Sequence, residues 1–288
     1  MARQKGRNEV LLTDSAAMKT IRSLPAKLLA VSVLVALMTA ADTTVPRSSC
    51  ASDLSAAPPS DRRGRLLILP GVGNTRFHLE GFVGRAQRQL PGFEVEVRPW
   101  GVPLVTLHNL RAHERNVATA GTIAKEITAW RALHPDDTFY LIGYSGGGGM
   151  AALIASALPD DVVIDRLILV APAISPDYPL ERTVLPHVRE FVVNYASERD
   201  LQVGWGTHVF GTIDRKKTPS AGAVGFDTDD VRVLQRHWST DDEPYGHHGN
   251  HTAYLGRRWQ NAKLLPAIDP ARTAQQVLVH WAGTCKEE

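Results

Sequence analysis

One short segment constrains the fold more than any other: an aliphatic strand that runs directly into a glycine-rich turn and a helix of small residues. The strand TFYLIG covers Thr138–Gly143, and the helix GMAALIASAL covers Gly149–Leu158. Residues 143–147 between them read GYSGG, a G-x-S-x-G motif. A chain that turns from strand to helix in so few residues strains its central residue, and only small residues two positions to either side allow close approach to neighbouring elements. The motif therefore predicts that Ser145 is exposed at the end of a buried strand.

Aliphatic runs alternate with helical patterns along residues 65–288. The predicted strands are Arg65–Pro70, Phe93–Trp100, Thr138–Gly143, Asp165–Pro172 and Glu190–Ser197, with two less regular ones at 221–226 and 231–238; the predicted helices are Arg76–Gln89, 112–134, Gly149–Leu158 and Thr252–Leu265. Nearly continuous apolar runs are typical of parallel strands that are buried on both faces. The pattern predicts an α/β fold, with helices on both faces of an open, mostly parallel sheet. A ligand would bind at the carboxyl ends of its strands.

The first 41 residues have the composition of a secretory signal. Residues 1–27 carry six basic and two acidic side chains, and Leu28–Ala41 is a run of 14 residues without a charge. This arrangement predicts an export signal, because a membrane-spanning helix needs roughly 20 apolar residues. Met18 opens a more conventional signal and is an alternative start. An uncleaved N-terminal anchor is the alternative to cleavage, so the expected location is periplasmic, extracellular or membrane-anchored.

Residues 42–64 are rich in Ser, Ala and Pro, which predicts a flexible linker before one domain at 65–288. The chain is 43% hydrophobic and 22% charged, an ordinary globular mixture. Removing residues 1–41 takes away four net positive charges and turns the formal charge of +2 into about −2, so nucleic acid is not an expected partner. Two cysteines, Cys50 and Cys285, exclude a disulfide-rich scaffold. Export would permit a disulfide between them, but Cys50 lies in the predicted linker, so we interpret them as separate thiols.

The strand–turn–helix motif resembles the nucleophile elbow of the α/β-hydrolase superfamily, and the order and placement of motifs extend this resemblance over most of 65–288. The resemblance implies that Ser145 is a nucleophile and that two backbone N–H groups form its oxyanion hole. One follows the nucleophile and maps to Gly146. The other comes from the loop after the first central strand, and maps to Val72 within LPGVGN. The family's usual His-Gly is Pro-Gly here, a tolerable departure because backbone groups bind the oxyanion.

The family order of nucleophile, acid and histidine implies the rest of a catalytic triad. Asp200 follows the strand Glu190–Ser197 and matches the acid loop of the family. The last loop reads YGHHGNHT, and its Gly-Asn-His matches the family's Gly-x-His ahead of the final helix, so the implied base is His251. The alternatives are Asp177 and Glu198 for the acid and His248 for the base. In the implied mechanism His251 accepts and returns the serine proton, and Asp200 fixes the imidazole tautomer.

Two other kinds of site fit the sequence less well. The cluster of metal-ligand side chains near the last loop has no companion metal motif; its members are His247, His248, His251, Asp241 and Asp242. Residues 146–151 match G-x-G-x-x-A, but no carboxylate ends the next strand to bind a ribose, as a dinucleotide site requires. We therefore expect neither a metal nor an organic cofactor.

The resemblance implies an exported serine hydrolase that cleaves carboxylic esters through an acyl-enzyme, as esterases and lipases do, with a small-molecule ester as substrate. About 20 residues separate the strand that ends at Pro172 from the one that begins at Glu190, so a compact, lid-poor domain is expected. A membrane would be contacted only through an uncleaved N-terminal segment. The alternative is a catalytically silent α/β-hydrolase domain that acts as a binding module.

Overall fold

The computed structural model describes residues 63–283, so the predicted leader, most of the predicted linker and both cysteines lie outside the described residues. Its strands are β1 Gly64–Leu69, β2 Phe93–Val97, β3 Thr138–Tyr144, β4 Ile164–Val170, β5 Val188–Ala196 and β6 Val233–His237. They form one sheet in the order β2-β1-β3-β4-β5-β6, and every neighbouring pair is parallel. The predicted open parallel α/β sheet is confirmed. The strand order reverses between β1 and β3, where such sheets form a crevice at their carboxyl edge.

Helices cover the sheet. They are α1 Glu80–Gln89, α2 Thr106–Arg111, α3 His113–Leu133, α4 Gly146–Ala155, α5 Leu180–Thr183, α6 Leu201–Phe210, α7 Ala221–Val224, α8 Arg257–Trp259, α9 Leu265–Ile268 and α10 Ala274–Gly283. Three 3-10 turns cover Leu185–His187, Thr240–Tyr245 and His251–Leu255, and a π-helical turn, Gln260–Leu264, joins α8 to α9. Within residues 63–283, every helix is too short or too polar to span a membrane.

The sheet separates two apolar layers because successive residues of a strand point to opposite faces. In β1, Leu67 and Leu69 pack in the layer that contains apolar residues of α3 and α4. Leu66 and Ile68 pack in the opposite layer, with apolar residues of α1 and α10. β4 is buried along its whole length. Burial on both faces accounts for the nearly continuous apolar runs in the sequence.

Two of the predicted elements differ in the structure, and α2, α6 and α10 lie where the sequence analysis predicted no element. Residues 221–226 were expected to form a strand, but Ala221 and Gly222 donate backbone hydrogen bonds to Ile174 O (2.8 Å) and Pro172 O (3.0 Å), and the segment forms α7 against the end of β4. The predicted last helix is interrupted at Gly256, which is extended between the last 3-10 turn and α8. The connection between β4 and β5 contains only α5 and one 3-10 turn.

Candidate active site

Ser145 lies between β3 and α4 in a backbone conformation that residues other than glycine rarely adopt, with φ 57° and ψ −123°. It was expected to be exposed, but it is only 6% exposed because the turn packs against the end of β4. Its N–H donates to Val170 O at 2.8 Å, and its carbonyl accepts from Ala173 N at 3.0 Å. The end of β4 thus holds the strained turn in place. A Cβ built on Gly143 would lie 2.2 Å from Gly147 O, and one on Gly147 would lie 2.4 Å from two carbonyl oxygens at the end of β1. The turn therefore requires both glycines of the motif.

Asp200 and His251, which lie 51 residues apart in the sequence, are hydrogen-bonded through Asp200 Oδ2 and His251 Nδ1 at 2.5 Å. Asp200 is fully buried and forms the N-cap of α6, where its Oδ1 accepts from Gln202 N (3.0 Å) and Val203 N (3.3 Å). Every oxygen of the buried carboxylate therefore has a partner. Because an ionised carboxylate can only accept, Nδ1 carries the imidazole proton, and the lone pair of a neutral His251 lies on Nε2.

Three side chains hold the loop that carries His251. Ser197 Oγ donates to Gly249 O at 2.7 Å, and Trp238 Nε1 donates to His247 O at 2.8 Å. Tyr144 OH donates to His251 O at 3.1 Å, and its ring stacks on the imidazole with centroids 4.9 Å apart. Since Tyr144 immediately precedes Ser145, these contacts connect the histidine loop to the elbow.

The loop after β1 is held in one orientation because all four carbonyl groups of residues 70–73 accept a hydrogen bond. Trp100 Nε1 donates to Pro70 O (2.7 Å), Asn74 N to Gly71 O (2.7 Å), Asn109 Nδ2 to Val72 O (2.8 Å) and Leu104 N to Gly73 O (2.9 Å). Asn109 is fully buried. The sequence prediction did not identify Trp100 or Asn109, because their partners lie 30 and 37 residues earlier and no local pattern marks them.

Val72 and Gly146, the two predicted oxyanion-hole residues, are brought into contact. A Cβ built on Gly146 would lie 2.2 Å from Val72 Cγ1. Gly146 is the first residue of α4, where the backbone N–H has no partner within the helix. Among residues 63–283, no backbone carbonyl of a turn or loop accepts a hydrogen bond from the N–H of Val72 or of Gly146. Val72 thus packs against the residue that follows Ser145, and neither amide has a backbone acceptor in a turn or loop of the described chain.

The alternative acids and base lie elsewhere. Asp177, Glu198 and His248 are exposed, and Asp177 forms an ion pair with Lys216. His247 is fully buried, and its Nδ1 accepts from Gly249 N at 3.1 Å. Within residues 63–283, no three His, Cys, Asp or Glu side chains are grouped so that they could hold a metal ion.

His247 should make the free energy of unfolding depend on pH. Burial lowers the pKa of His247 to about 4, below its ordinary value near 6.5. The unfolded chain therefore binds a proton that the folded chain excludes, so the contribution of His247 to stability is complete above about pH 6.5 and falls by about 3 kcal/mol as the pH drops to about 4. Urea unfolding of the wild type and of His247→Gln between pH 4 and 7.5 measures the difference, which should be a shallower slope in the variant. His248→Gln is the control, and it should keep the wild-type slope; equal slopes for all three proteins would contradict the prediction.

Comparison with known proteins supports the fold. No protein-family model matches the chain, and no curated protein matches it. Among solved structures, Aspergillus fumigatus lipase B is 12% identical with a TM-score of 0.50, over 82% of this chain and 59% of the lipase. A predicted CIB-like hydrolase from Thermoplasma acidophilum is 16% identical (TM-score 0.39, 70% of this chain and 84% of that one), and an acetylxylan esterase is 11% identical (TM-score 0.43, 75% and 99%). At 12% identity, the likeness to the lipase concerns the fold and not the substrate. The chain therefore has the fold of the α/β-hydrolase superfamily, as the sequence resemblance predicted.

Proposed function

We propose that this protein is a serine hydrolase that cleaves carboxylic esters, with Ser145 as nucleophile, His251 as general base and Asp200 as the residue that orients the base. The observation that carries the proposal is the buried Asp200 carboxylate bonded at 2.5 Å to His251 Nδ1, in a loop connected to the residue before the strained Ser145. This bond leaves Nε2 free to take a proton. A buried carboxylate beside a histidine and a strained serine on one sheet edge is the arrangement that acyl transfer requires.

The proposed reaction has two steps. In the first, a bond forms between Ser145 Oγ and the ester carbonyl carbon while the hydroxyl proton passes to His251 Nε2. The bond to the alcohol then breaks, and Nε2 returns the proton to the departing oxygen. In the second step, water attacks the acyl-enzyme with the same proton transfers, releasing the acid and restoring Ser145.

The N–H groups of Val72 and Gly146 would stabilise the oxyanion. Preorganised donors are effective because they need not reorient as charge develops, and each is typically worth about 3 kcal/mol. Four hydrogen bonds to the carbonyls of residues 70–73 supply this preorganisation.

The substrate would be a small molecule with an apolar part. Exposed apolar side chains follow β2, at Val102, Leu104 and Val105, and Leu104 N donates to Gly73 O in the loop after β1. The basic and apolar composition of residues 1–41 supports export, with membrane contact limited to that segment.

Covalent labelling tests the proposal directly. The full chain is treated with a fluorophosphonate, and the adduct is located by peptide mass spectrometry. A bond should form from Ser145 Oγ to phosphorus as fluoride leaves and His251 accepts the proton. The label should appear on Ser145 in the wild type and in His248→Ala, and should be lost in His251→Ala.

Absence of the adduct on a protein shown to be folded by circular dichroism would overturn the proposal. That outcome would instead favour a catalytically silent domain that binds a ligand or partner. Loss of the label in His248→Ala but not in His251→Ala would keep the serine hydrolase and replace its base.

A further inference from the structure

Tyr144 is the variable residue that precedes the serine in the elbow motif, and it touches three parts of the site. Its ring stacks on the His251 imidazole, with centroids 4.9 Å apart and planes 28° apart. Its hydroxyl donates to His251 O at 3.1 Å. A Cβ built on Gly71 would lie 3.3 Å from Tyr144 Cδ1, so the ring also packs against the loop after β1.

Asp200 alone does not fix the orientation of His251. The single bond to Nδ1 leaves the imidazole free to tilt about the axis that joins the two groups, and a tilt would move Nε2. A ring packed against the face of the imidazole removes this freedom. Burial of the hydroxyl and the nearby Asp200 carboxylate raise the pKa of Tyr144 well above its ordinary value, so the hydroxyl remains a donor.

We propose that Tyr144 is a positioning residue for His251: its ring holds the imidazole plane, and its hydroxyl holds the histidine backbone. The inference rests on the proposed function, because the position of Nε2 matters only if His251 accepts the serine proton. It assigns a role to the first of the two variable positions of the G-x-S-x-G motif.

Tyr144→Phe and Tyr144→Leu separate the two contacts. The phenylalanine variant keeps the stacked ring and should retain turnover of a p-nitrophenyl ester within about fivefold, since one neutral hydrogen bond is worth about 1 kcal/mol. The leucine variant loses the ring, and kcat should fall by about 10- to 100-fold, the cost of moving a catalytic group by about 1 Å. KM should stay within about threefold of the wild type in both variants, because the inference gives Tyr144 contacts with His251 and none with the substrate.

Tyr178→Leu is the matched control. Tyr178 is also partly buried, and its hydroxyl contacts Ser156 at the far end of α4, at 2.9 Å. This variant should keep the wild-type kcat. If Tyr144→Leu fails to fold, Tyr144→Met supplies a side chain of adequate length without an aromatic ring. A kcat in Tyr144→Leu equal to that of the wild type, or an equal loss in Tyr144→Phe, would overturn the inference.

The His251 Nδ1–H proton resonance provides a readout that needs no substrate. It should persist in Tyr144→Phe and broaden by exchange with water in Tyr144→Leu. If the proposed function is wrong but the Tyr144 inference is right, the fluorophosphonate will not label the wild type. The Nδ1–H resonance will still differ between Tyr144→Phe and Tyr144→Leu. If the Tyr144 inference is wrong but the proposed function is right, the fluorophosphonate will label both the wild type and Tyr144→Leu. The two proteins will then have equal kcat values and the same Nδ1–H resonance.

Discussion

Replacing Ser145 with alanine should lower kcat on an activated carboxylic ester by roughly 10⁵- to 10⁶-fold, because the acyl-enzyme cannot form without the hydroxyl. The remaining rate would come from binding and from the donors at Val72 and Gly146, which the substitution leaves in place. Stability should change little. Alanine at φ 57° bears the same backbone strain as serine, and only the Oγ atom is removed.

Initial rates on a p-nitrophenyl ester series, together with thermal unfolding, measure both effects. Ser156→Ala is the control: Ser156 Oγ contacts Tyr178 and Thr183 at the far end of the same helix, and its loss should leave kcat within about twofold. A Ser145→Ala protein that still turns over at one tenth of the wild-type rate or more would exclude a serine acyl-enzyme.

The elbow could be predicted from the sequence because its constraints are local. The glycines at 143 and 147 are required by contacts within the turn and with the strand beside it. The sheet could be predicted because burial on both faces leaves long apolar runs. The exception, α7, depends on hydrogen bonds to Ile174 and Pro172, and these distant partners outweigh the β pattern of its own residues.

The acid and the base could not be chosen from the residues alone. Asp177, Glu198 and Asp200 all follow strands, and what distinguishes them in the structure is burial and a histidine 51 residues away. Only the resemblance to a family gave the order of the motifs. The contacts of Trp100, Asn109 and Tyr144 were not predicted at all, because a hydrogen bond to a loop carbonyl leaves no periodic signal in the sequence.

Replacing Asp200 with asparagine should lower kcat by about 10⁴-fold while the fold is retained. The amide oxygen of asparagine can accept from Gln202 N and Val203 N, and asparagine is as good an N-cap as aspartate, so α6 keeps its cap. The NH₂ group then faces His251 Nδ1. Because NH₂ donates, Nδ1 must accept, the imidazole proton moves to Nε2, and the atom that should take the serine proton already carries one.

Asp177→Asn distinguishes this tautomer effect from a general effect of removing a carboxylate. Its ion pair with Lys216 is exposed, and such pairs contribute little, so kcat should stay within about twofold of the wild type. Steady-state kinetics of both variants on one ester, with unfolding midpoints as a check on the fold, decide between the two carboxylates. Loss of activity in Asp177→Asn with activity kept in Asp200→Asn would reverse the assignment of the acid. Loss of activity in Asp200→Asn with activity kept in Asp177→Asn would show that turnover depends on the hydrogen bond at His251 Nδ1. Asp200→Asn removes a charge and a proton acceptor at that bond but leaves the helix cap intact.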